Sequence, residues 1–135
     1  GDSSYHNQDL NKLIEAVDFI SLHTYPFHDS HYQPNYWLAP ADEDSLSEIE
    51  KAESAVKRAA QYAQSQYKSA KGYMENLGLN KPIYIGETGW ASVCGFLYGP
   101  NGSMAADEYK AKLYYDYTRE WTNAQNLTCQ KTTLG

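Results

Sequence analysis

Lys81-Pro82-Ile83-Tyr84-Ile85-Gly86-Glu87-Thr88-Gly89-Trp90 is a short apolar run that ends on a carboxylate. Its length and its Ile and Tyr content predict a buried strand over Ile83–Thr88, with the Gly-bounded segment after it as a loop. Immediately upstream, Leu46, Ile49, Ala52, Val56, Ala59, Ala63, Ala70, Met74 and Leu77 recur every three to four residues, which predicts an amphipathic helix from Ser45 with its stop at Gly78. A second strand precedes that helix in Val17-Asp18-Phe19-Ile20-Ser21-Leu22-His23-Thr24-Tyr25, ended by Pro26. Strict alternation sets Phe19, Ser21, His23 and Tyr25 on one face and Ile20 and Leu22 on the other. Strand, helix and strand joined across a tight loop form a βαβ unit, so the two strands are expected to be parallel.

Working outward, Leu10, Leu13 and Ile14 predict a short helix over Asp9–Ala16. Phe27–Asp44 shows neither period and is long for a connection, which typically has about 4–6 residues. At 1.5 Å per residue the central helix would reach roughly 50 Å, so a break or an overhanging first turn is expected in it. A coiled coil is the competing reading of that helix, with a seam made mostly of alanine and Gln66. Tyr98-Gly99-Pro100-Asn101-Gly102 is a turn cluster, and Ser103 is expected to cap a last helix running to about Trp121 with Asp107 and Glu108 in its first turns. The class is α/β, in one domain over residues 1–135, with neither an internal repeat nor a low-complexity tract.

The 135 residues suit one ordinary domain but fall short of the roughly 250 that an eight-stranded α/β barrel uses. With 11 basic and 17 acidic residues the net charge is -6, which excludes an electrostatic footprint for nucleic acid or an anionic membrane. No run approaches the roughly 20 apolar residues of a membrane span. Thirteen tyrosines and three tryptophans are a heavy aromatic load that suits sugar faces, although such rings also pack half-buried surfaces. Cys94 and Cys129 show neither CxxC nor zinc-ligand spacing, and His28 with His31 supplies two metal ligands without a third, so no metal site is expected. Asn101-Gly102-Ser103 and Asn126-Leu127-Thr128 are glycosylation acceptors by pattern.

Functional groups of α/β sheets and barrels gather at the carboxyl ends of parallel strands, and Glu87 stands there. An ionised group at the end of an apolar strand needs partners to offset its desolvation, so Glu87 reads either as a catalytic carboxylate or as a structural acid paired with an arginine or lysine.

Gly86-Glu87-Thr88-Gly89-Trp90 after Lys81-Pro82-Ile83-Tyr84-Ile85 resembles the nucleophile strand of family 17 glycoside hydrolases, which belong to a clan of retaining glycosidases built on (β/α)8 TIM barrels. Asp18-Phe19-Ile20-Ser21-Leu22-His23-Thr24-Tyr25-Pro26-Phe27 resembles the preceding strand of that family, which ends in a tyrosine near the nucleophile. The resemblance covers nearly the whole chain and implies a partial barrel, with these strands as its sixth and seventh. It implies a β-1,3-glucanase or β-1,3-glucanosyltransferase in which Glu87 is the nucleophile and Tyr25 orients it. Trp90, Tyr98 and His23 are the expected substrate-binding residues. A retaining mechanism uses two carboxyl groups about 5–5.5 Å apart and requires no cofactor.

The family's acid/base glutamate follows its fourth strand, which would lie upstream of Gly1, and Gln130–Gly135 lacks the apolar run of an eighth strand. The expectation is therefore a fragment that does not hydrolyse glucan alone, because the glycosidic oxygen lacks a general acid. Two exposed barrel edges imply a homo-oligomer, and barrel topology sets Cys94 and Cys129 at opposite ends, against a disulfide. A glucan-binding module without catalysis and a purely self-associating fragment are the alternatives. By resemblance the location is outside the cytoplasm: secreted, periplasmic or at the cell surface.

Overall fold

The computed structural model describes residues 6–29, 41–93 and 106–125. Helix α1, Gln8–Ala16, starts at Asn7, whose side chain accepts the Asp9 N–H at 2.9 Å and so satisfies one of the orphan donors of the first turn. Val17 closes this helix through its N–H to the Leu13 carbonyl, which removes it from the following strand. Strand β1 is accordingly Ile20–Thr24, shorter than the Val17–Tyr25 expected from pattern. Pro26 then opens a single helical turn, α2 (Pro26–Asp29), where its missing N–H costs nothing. Part of the segment expected to be irregular is thus helical, and a 3-10 turn at Ala41–Glu43 adds a second such piece.

Helix α3 runs unbroken over 29 residues, Glu48–Asn76, about 43 Å at the standard rise. It begins at Ser47 rather than Ser45 because a reciprocal capping box sits there. The Ser47 hydroxyl accepts the Glu50 N–H at 3.3 Å, and the Glu50 carboxylate accepts the Ser47 N–H at 2.8 Å. The first turn overhangs the layer beneath, with Ile49 exposed, and this accommodates the length without a break. At the other end Gly78 takes φ +73°, and the Gly78 and Leu79 N–H groups reach the Glu75 and Met74 carbonyls. Only glycine adopts that backbone without penalty, so the helix stops where the sequence indicates.

Strand β2, Ile83–Thr88, pairs in parallel with β1, and these two strands are the whole sheet among the described residues. Helix α4 spans Glu108–Gln125. Its cap is Asp107, whose carboxylate accepts the Lys110 N–H at 3.0 Å, and not Ser103, which lies outside the described residues. The helix also continues one turn past Trp121.

Two apolar clusters hold these elements. Near the carboxyl ends of the strands, Phe27, Ala55, Val56, Ala60 and Tyr114 are buried together, with Trp90 and Leu113 against them. Toward the amino ends, Ala70, Met74 and Ile83 are buried with Ile14, Ile20 and Leu22. The alanine seam of α3 is thereby filled from within the chain by α2, α4 and the strands, which answers the coiled-coil reading. The buried methyls allow close approach, as Ala55, Val56, Ala59, Ala60 and Ala63 all show by being at most 5% exposed. Replacing Ser47 with Ala removes the hydroxyl that accepts the Glu50 N–H while leaving the Ser47 N–H to the Glu50 carboxylate, and urea denaturation should register a loss of about 1 kcal/mol.

Candidate active site

The residues of interest gather where β1 and β2 end. Pairing runs Ile20 to Ile83, Ser21 to Tyr84 and Leu22 to Ile85, and then skips: His23 faces Glu87 and Thr24 faces Thr88. Gly86 is the extra residue of a β-bulge. In a regular strand Glu87 would share a face with Ile83 and Ile85, toward the helices. The additional residue reverses the alternation, so that Glu87 falls beside His23 on the open face while Thr88 turns back to the helical layer. The hydrogen bonds agree. Thr88 Oγ1 lies 2.6 Å from the Tyr114 hydroxyl of α4, and Thr24 donates to the Gln66 side chain of α3.

On the open face, the Tyr25 hydroxyl donates to Glu87 Oε2 at 2.8 Å. His23 Nδ1 stands 3.4 Å from the same oxygen. Three residues predicted as site members are therefore brought together, two from the end of β1 and one from β2. Both contacts fall on Oε2. The bond to Glu87 raises the Tyr25 pKa above its ordinary value, with desolvation and the carboxylate's charge acting in the same direction. A neutral phenol donating to a carboxylate oxygen fixes the rotation of the carboxylate.

The desolvation argument that singled out Glu87 does not operate in this chain, because its side chain is 55% exposed. The bulge has turned it away from the apolar layer. His23 is similarly open at 51%, so the attraction between the two is weakly stabilising in solvent.

Trp90 sits at the rim of the upper cluster, half-buried, with its ring 5.3 Å from both Phe27 and Tyr114. Tyr98 lies outside the described residues, as do Cys94, Cys129, His31 and the side chain of His28. Among the described residues no group of three or more His, Cys, Asp or Glu side chains could hold a metal ion. A cavity of about 510 Å³ opens along β2 and α4, lined by Ile85, Thr88, Trp90, Tyr114 and Tyr115. It is on the helical side, and Glu87 does not line it.

Sequence reading missed the bulge and the tie between Thr88 and Tyr114. The signal was available: a glycine inside a strand pattern marks a bulge or a close approach by another backbone or side chain.

No protein-family model matches the chain, and no curated protein does. Among solved structures, the chain is similar to part of a glycoside hydrolase. That structure is an endo-laminarinase from Formosa Hel1_33_131, with 53% identity and a TM-score of 0.88 over 96% of this chain. The chain spans 33% of the length of that enzyme.

The Tyr25 titration is a direct check on the site. Tyrosine labelled with carbon-13 at Cζ should show Tyr25 deprotonating above the ordinary tyrosine range, and Glu87→Gln should bring it back down. Because the folded-state pKa is the raised one, any stabilisation from this bond is complete below the unfolded tyrosine pKa. It is lost as pH rises through the folded value.

Proposed function

We propose that this chain is the nucleophile-bearing part of a retaining family 17 glycoside hydrolase acting on β-1,3-glucan, equivalent to the sixth and seventh strands of a (β/α)8 barrel. The observation that carries the reading is the Tyr25–Glu87 hydrogen bond across the ends of two parallel strands. A catalytic carboxylate has to be aimed and accessible, and the hydrogen bond and the exposure of Glu87 supply both. The 53% identity to one third of an endo-laminarinase supports the same substrate class.

In this reading Tyr25 and His23 both occupy Glu87 Oε2, which leaves Oε1 as the oxygen that attacks the anomeric carbon. The glycosidic C–O bond breaks, its electron pair stays on the leaving oxygen, and a glycosyl ester forms on Glu87. The proton for the leaving oxygen comes from a second carboxyl group about 5–5.5 Å away, which the family resemblance assigns to a glutamate after the fourth strand. Water or a second sugar then resolves the ester. The exposed part of the Trp90 ring and Tyr98 are the proposed stacking surfaces for glucosyl rings. Both carboxyl roles are protein-borne, and the mechanism calls for no cofactor.

A second reading has a specific observation in its favour. Each strand of the two-stranded sheet has an edge without a partner among the described residues, and Leu13 and Phe19 are exposed at 58% and 50%. Such edges and side chains favour a chain that associates with copies of itself, the reading in which it carries no catalysis.

An activated inhibitor separates these readings because it does not depend on a general acid. A 2-deoxy-2-fluoro-β-laminaribioside with a dinitrophenolate leaving group should esterify Glu87 with release of the phenolate, detected as a mass gain on the peptide that contains it. Glu87→Gln should abolish labelling, and the chain alone should leave laminarin intact. Labelling at another residue, or equal labelling of the variant, overturns the assignment of Glu87. Binding of laminari-oligosaccharides without labelling favours the non-catalytic module.

A further inference from the structure

Gly86 has negative φ, since Gly78 is the glycine with positive φ among the described residues. Its backbone is therefore open to any L-residue, and what requires glycine is the space beside it. A Cβ at position 86 would overlap the Ser21 hydroxyl outright, and it would stand 3.3 Å from Ser21 Cβ and 3.4 Å from His23 Nε2. The hydroxyl can rotate away. Ser21 Cβ is fixed by the strand, and the imidazole can give way only by shifting.

That imidazole links the empty position to the chemistry. One ring nitrogen, Nε2, borders the space at Gly86, and the other, Nδ1, faces Glu87 Oε2 at 3.4 Å. Tyr25 meets the same carboxylate oxygen. A group inserted at position 86 takes the space that the Ser21 hydroxyl now occupies and comes into contact with the ring edge.

We propose that Gly86 is a positioning residue for Glu87. Its missing side chain seats Ser21 and the His23 ring against β2, and its place in the bulge brings the carboxylate under the Tyr25 hydroxyl. The inference rests on the reading of Glu87 as nucleophile only for its catalytic consequence; the positioning itself is a statement about geometry. Ser21 acts with it, since the size of one sets the size the other can have.

Gly86→Ala tests this without requiring turnover. With circular dichroism unchanged, carbon-13 Cζ titration should show Tyr25 returning toward its ordinary pKa even though Glu87 is still present. Labelling by the fluoro-laminaribioside should slow about tenfold, because the reacting carboxylate loses part of its alignment. Adding Ser21→Gly to Gly86→Ala removes the nearest clash and should recover both the raised Tyr25 titration and much of the labelling rate. A purely structural glycine would change unfolding without moving the Tyr25 midpoint in the folded protein.

An unaltered Tyr25 titration in folded Gly86→Ala overturns the proposal, as does a double variant that folds but recovers nothing. Should Gly86→Ala not fold, the double variant alone decides: a raised Tyr25 midpoint supports the proposal and an ordinary one overturns it. If the wild-type chain is not labelled at Glu87, the nucleophile reading fails while the titration still judges the positioning.

Discussion

One residue more on β2 than on β1 is the constraint on which the site depends. Parallel pairing with strict alternation would send Glu87 into the same layer as Ile83 and Ile85, where an ionised carboxylate carries a desolvation penalty of several kcal/mol. The skip at Gly86 exchanges that outcome for a solvent-facing carboxylate under a tyrosine hydroxyl. It also returns Thr88 to the helical side, where Tyr114 receives it. A single insertion in register thus sorts polar chemistry from packing at the strand ends.

Behind the sheet, the packing is built for closeness. Alanine methyls of α3 let the helix lie near its neighbours, and the larger groups that fill the remaining volume are Phe27 from α2, Tyr114 from α4 and, near its own end, Met74 of α3. Burial of Tyr114 raises its phenol pKa, with the Thr88 hydrogen bond opposing the effect. At the loop before α3, Glu43 accepts from Ser54 and from Arg58 at 2.6 Å, which holds its carboxyl below the usual range and ties the 3-10 turn to the helix. The connection returning from the site is therefore fastened at its far end.

Much of this was legible in the residues. The 3.6-residue recurrence of apolar positions located α3, Gly78 marked its stop, and the apolar run before Glu87 located β2, since each depends on local physics that pattern records. The tyrosine and the carboxylate met as expected because their strands are parallel and end together. What alternation could not supply was the parity of Glu87, since a period of two presumes an unbroken ladder. The position of Trp90 was equally out of reach: its neighbours Phe27 and Tyr114 are 63 and 24 residues away in sequence, and only tertiary packing brings the three rings together. Boundaries slipped where a cap intervened, as Val17 and Asp107 did, because capping geometry depends on side chains that several nearby residues could provide.

The reversal at the bulge also separates two kinds of selection. Thr24 and Thr88 anchor the strand ends to different helices from behind, while Ser21, His23 and Glu87 on the other side fill no part of either apolar cluster. Residues that face outward are thus free to be exchanged for others with little loss of folding free energy, whereas those behind the sheet are bound by volume. A surface of this kind lends itself to new ligand preferences by few substitutions, within the limit that positions 21 and 86 share one small space.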